Sequence, residues 1–194
     1  MRRIALFFAL APIAFFASAR DDGKAAALPT GQSLPYMGDP APAQLRVLAP
    51  LLGDWSINTR VRTAEAPEQE LHFAGQATGR LAYNGQFLRL EGSASDGKER
   101  EEYVVLYRYD PARASYRRWY FSSVGIASEF EGHWNAETKT MTWTLLNPAA
   151  GRSGTLTDTF HADGYTTDVV YKDGAGKIVR HATLEAVRKP AQAR

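Results

Sequence analysis

From Trp55 onward the chain moves its apolar side chains to every second position, in run after run. That periodicity limits the fold more than any other feature. Met141, Trp143 and Leu145 alternate with Thr140, Thr142 and Thr144, which is what a strand with one buried and one wet face requires. Trp55, Ile57, Thr59 and Val61 alternate in the same way with Ser56, Asn58, Arg60 and Arg62. The pattern predicts about ten strands, near 54–63, 69–83, 86–96, 99–109, 116–122, 126–134, 139–146, 153–161, 165–172 and 177–188. Turn residues separate them. Asn84-Gly85 is the strongest hairpin signal, and Asp110-Pro111, Asn135-Ala136-Glu137, Ala162-Asp163-Gly164 and Asp173-Gly174-Ala175-Gly176 punctuate the rest. No connection has room for a crossover helix, so neighbouring strands should pair antiparallel.

An open meander of ten strands would expose two edges, which invites edge-to-edge association; closure removes them. The expected fold is therefore all-β, an antiparallel up-and-down barrel. A short helix precedes it over Ala43–Leu52, interrupted by Pro50. In such a barrel the end of the last strand lies beside the start of the first. Arg188 should then stack on Trp55 at the barrel floor, as a structural pair.

The N-terminus reads as an address. Met1-Arg2-Arg3 leads into an apolar run, Ile4 to Phe16, then Ala17-Ser18-Ala19 and the polar Arg20-Asp21-Asp22. Charge, core length and small-x-small site predict a cleaved bacterial signal peptide over 1–19, and the apolar run is too short for a membrane anchor. The mature protein is expected in the periplasm or the medium, with no transmembrane segment. Residues 20–42, rich in Pro and Gly, read as a flexible linker, and 43–190 as the barrel domain. Of 23 Lys and Arg, two leave with the signal peptide, so 21 basic residues face 21 acidic ones. That balance supports no nucleic-acid partner.

Gly53-Asp54-Trp55 with Arg188 resembles the G-x-W and terminal Arg of calycin (lipocalin-like) barrels. The segments Tyr107-Arg108-Tyr109-Asp110-Pro111, Trp119-Tyr120-Phe121-Ser122-Ser123, Glu131-Gly132-His133-Trp134 and Thr138-Lys139-Thr140-Met141-Thr142-Trp143 are similar to the bacterial domain-of-unknown-function family 1579 (DUF1579). The resemblance spans about 45–190. It implies the barrel fold and brings no catalytic residues.

Counting parity from an inward Trp55 puts aromatics and a few charges inside. The candidate cavity residues are Glu101, Tyr103, Phe121, Phe130, Trp143, Tyr171 and Arg180, facing a small apolar or amphipathic molecule. Arg117 and Trp119 share the parity of Phe121, and Ile178 that of Arg180. A barrel of this strand number has room for a ligand, although side chains can also fill it. Two rival readings stay open. One is an isomerase or hydrolase using Glu101, Tyr103, Asp158 or Arg180, with Asp158 beside Arg180 or Tyr103. The other is a solid-core interaction protein.

The chain has no cysteine, no paired-His metal spacing and no serine-hydrolase elbow. Some calycin barrels hold haem through an interior His. Here His72, His133 and His181 have outward parity and His161 falls at a turn, so no cofactor is expected and haem would require a shift of register.

Overall fold

The computed structural model describes residues 41–149 and 151–190; the predicted signal peptide and most of the predicted linker lie outside them. Ten strands follow a 3-10 helix, Ala43–Leu51. They are β1 (Gly53–Thr63), β2 (Ala66–Ala82), β3 (Phe87–Ser95), β4 (Arg100–Asp110) and β5 (Ser115–Ser122). The second half holds β6 (Ala127–Asn135), β7 (Thr140–Leu146), β8 (Ser153–Phe160), β9 (Gly164–Lys172) and β10 (Ile178–Arg188). Each pairs antiparallel with its neighbour in sequence, and β10 returns to β1 to close the barrel.

The closing seam aligns Trp55 with Arg188 at one end and Thr63 with Arg180 at the other. The Arg188 guanidinium carbon lies 4.3 Å from the centre of the Trp55 ring, and Nη1 donates to Leu52 O at 2.9 Å. Gly53 makes room for it. Its φ of +119° favours glycine, and a Cβ there would collide with Arg188 Nη1.

Leu45, Leu48 and Leu51 recur every third residue, so in a helix of three residues per turn they fall on one face. All three are buried. This face closes the barrel floor against β3, β4 and β9. Trp55 Nε1 donates to Leu51 O at 3.0 Å, and the Tyr116 hydroxyl donates to Gln44 O at 3.0 Å. Among the described residues, no helix is long and apolar enough to cross a membrane.

Above the helix the lower barrel is solid. Trp55, Leu88, Met141 and Trp143 are essentially inaccessible. Trp143 fills the volume over Gly132, where a Cβ would clash with its ring.

Three details depart from the sequence reading. The Asn84-Gly85 hairpin has four loop residues, Tyr83–Gln86, and both Tyr83 (φ 52°) and Asn84 (φ 56°) take the left-handed conformation. In β10, the register shifts between Ile178 and Arg180, which leaves Ile178 half exposed while Arg180 stays on the inner side. The largest correction is β5, which is turned over. Tyr116 and Arg118 are buried, whereas Arg117, Trp119 and Phe121 face outward. The reason lies in its composition. Along Tyr116-Arg117-Arg118-Trp119-Tyr120-Phe121, either face receives one Arg and two aromatics, so alternation alone cannot choose between them. The β4–β5 hairpin decides, because it sets Arg118 opposite inward-facing Tyr107 and Tyr120 opposite Val105.

Candidate ligand-binding cavity

The upper barrel encloses a cavity of about 190 Å³. Its walls are mostly apolar: Ile57, Val61, Phe73, Leu90, Val169 and Leu184 from five strands. Val124 and Ile126, from the β5–β6 connection, stand at the mouth with Glu99 and Arg100. For scale, an apolar cavity of about 150 Å³ holds benzene. This one suits a single ring or a short chain.

At the deep end, just above the solid floor, lies Arg118, which is only 9% exposed. Its guanidinium carbon is 5.8 Å from the Tyr107 ring centre and 5.3 Å from that of Phe130. Among the described residues, no protein atom accepts a hydrogen bond from its Nε or Nη1, and the buried Tyr165 hydroxyl also lacks a partner. Burial opposes the charge on Arg118, but the oxygens around it, Tyr107 first and then Asp158, outweigh that and raise its pKa. Tyr107 itself is pushed up to about 12, chiefly by burial.

Asp158, 3% exposed, is matched instead. Oδ2 accepts from Trp143 Nε1 at 2.7 Å and Oδ1 from the Thr167 hydroxyl at 2.6 Å. Burying a carboxylate is tolerable when such donors replace its water. The partners of Asp158 seen here are thus Trp143 and Thr167, whereas the sequence reading sets it beside Arg180 or Tyr103.

Nearer the mouth, Glu101 Oε1 accepts from the Tyr120 hydroxyl at 2.6 Å, and the Tyr120 ring stacks on Tyr103 at 5.9 Å. Burial raises both phenol pKa values, and the Glu101 carboxylate adds to the shift at each. Arg180 and Tyr171 line the same region, and burial lowers the pKa of Arg180.

The structure thus brings Glu101, Tyr103, Phe130, Tyr171 and Arg180 to one cavity. Trp143 is interior but sits below it, packed 5.6 Å from the Tyr107 ring. Phe121 is not in the cavity. It is 45% exposed on the outer face, because β5 is inverted. The same inversion hid Arg118 and Tyr120. Arg117 instead forms an ion pair with Glu129 outside the barrel. All four histidines are exposed, and a porphyrin does not fit a volume of this size, so these residues do not suit a haem site.

Two solved structures share the architecture. The S-type phycobiliprotein lyase CPES from Guillardia theta aligns with a TM-score of 0.55 at 12% identity, covering 76% of this chain and 93% of that one. Rv2717c from M. tuberculosis aligns with a TM-score of 0.59 at 15% identity, covering 78% and 100%. At these identities the likeness concerns the fold alone. No curated protein matches the sequence. The family model described as protein of unknown function, DUF1579, matches residues 41–163, and the chain belongs to that family.

Proposed function

We propose that this protein is an exported, soluble binding protein that captures a small, partly apolar molecule inside the barrel, in the periplasm or the medium. The observation that carries the binding reading is the cavity of about 190 Å³, apolar along its walls and bounded by a few polar side chains. Pockets of that make-up bind by removing apolar ligand surface from water, while the polar groups select orientation. Export rests on the Met1-Arg2-Arg3 charge, the Ile4–Phe16 core and Ala17-Ser18-Ala19.

Thermal melting of the purified protein with toluene, indole or phenol tests the cavity. Stabilisation that saturates with ligand is expected, and it should vanish when Val169→Trp fills the space. Absence of any effect from these, and from the charged analogues benzoate and hexanoate, overturns the binding reading. For export, the mass of the protein recovered from its own host should correspond to a chain beginning near Arg20. An intact Met1 in the cytosolic fraction overturns that part.

A further inference from the structure

The cavity holds hydrogen-bond donors that the protein leaves unmatched, and their arrangement narrows the kind of ligand. Arg118 is nine-tenths buried and lines the cavity, with Nε and Nη1 lacking a protein acceptor. Tyr165 lines it too, and its buried hydroxyl is also unpartnered. Both lie low in the barrel. Arg118 is the fourth residue of β5, which starts at the floor, and Tyr165 the second of β9, which starts there too. Leaving such donors unmatched costs more than forming an ordinary hydrogen bond returns, and a buried cation without a matching anion is the costliest case. Asp158, the nearby carboxylate, accepts from Trp143 and Thr167 and favours the charge on the guanidinium, but Arg118 Nε and Nη1 find no acceptor in the protein. The walls above Arg118 are apolar: Ile57, Leu90, Val169 and Leu184.

From this we infer that the ligand is a small monocarboxylate, its carboxylate seated on Arg118 and Tyr165 at the deep end and its ring or short chain lying along the apolar walls. The inference rests on the binding reading above and adds the chemical class of the ligand. A carboxylate accepts from guanidinium and phenol donors without giving up a proton of its own, and charge-assisted bonds of this kind are the strong ones. The volume restricts the body to about one ring or a chain of similar size. A neutral hydroxyl or amide would answer the donors only in part and leave the charge uncompensated.

Calorimetric titration of the wild-type protein tests this with two matched pairs, benzoate against benzamide and hexanoate against hexanol. The carboxylates should bind at least about tenfold more tightly than their neutral partners, as a charge-assisted bond worth more than about 1.4 kcal/mol demands. In Arg118→Met that preference should disappear, while toluene and indole still stabilise the protein. Tyr165→Phe, which keeps the ring, should weaken benzoate by a few-fold and leave toluene unchanged. Equal affinity within each pair for the wild type, together with binding of toluene, overturns the carboxylate inference and keeps the cavity. Binding of no compound at all overturns the cavity reading itself. Should Arg118→Met fail to fold, the wild-type pairs and Tyr165→Phe decide alone.

Discussion

The floor of the barrel and the cavity above it are built from the same residue types, yet they treat polar groups in opposite ways. At the floor every named polar atom has a partner. Trp55 Nε1 reaches Leu51 O, Tyr116 reaches Gln44 O, and Asp158 accepts from both Trp143 and Thr167. Above it, Arg118 and Tyr165 present donors with no acceptor in the protein. Matched groups of this kind hold a fold in a single arrangement, while unmatched ones reduce its stability and are complementary to something outside the chain. On the proposed reading, the matched groups of the floor serve stability and the unmatched donors just above it serve recognition.

The largest effect should come from the floor. Trp143→Ala removes an inaccessible indole over Gly132 and also the donor to Asp158 Oδ2. Urea unfolding should show a loss of about 4 kcal/mol. A loss below about 1 kcal/mol would mean the lower barrel is not solid.

High pH should strike next. The folded pKa of Tyr107 is raised to about 12, from an ordinary tyrosine value near 10, so folding favours the neutral phenol. That contribution is complete below pH 10 and is lost as pH rises from 10 through 12, to the extent of about 3 kcal/mol. Tyr103, Tyr120 and Tyr165 shift in the same direction. The melting temperature should be level from pH 8 to 9.5 and fall steeply above 10. A level profile to pH 12 would place these phenols in contact with water.

The two buried charges give the sharpest form of the comparison. Asp158→Leu strands the Trp143 and Thr167 donors and should cost about 2–3 kcal/mol in urea. Arg118→Met gives up two ring contacts and the hydrogen bond with Tyr107 but removes a buried guanidinium whose Nε and Nη1 have no acceptor, so its stability should stay within about 1 kcal/mol of wild type. The reverse order would show that Arg118 is the structural charge. A comparably small effect belongs to the exposed clamp beneath the floor. Arg188→Ala loses the stack on Trp55 and the bond to Leu52 O, which should lower the unfolding free energy by about 1 kcal/mol.

Period-two alternation and turn chemistry made the ten strands and their antiparallel order readable from the sequence, with ends within about three residues of those observed. Closure followed from the need to remove two edges, and it correctly set Trp55 beside Arg188. Inward parity held for Glu101, Tyr103, Phe130, Tyr171 and Arg180, because in each of those strands the inward face holds the larger share of apolar and aromatic residues. It failed at β5, where both faces carry the same mixture, and at Ile178, where a bulge intervenes.

The sequence by itself therefore determined the architecture, since local periodicity, turns and edge removal act on residues close along the chain or on the whole ribbon at once. Only the tertiary structure decided which arginine of β5 is inside. That choice depends on which residue of β4 stands across the hairpin from Arg118, and on what the other strands place around its guanidinium, neither of which a single strand's pattern contains.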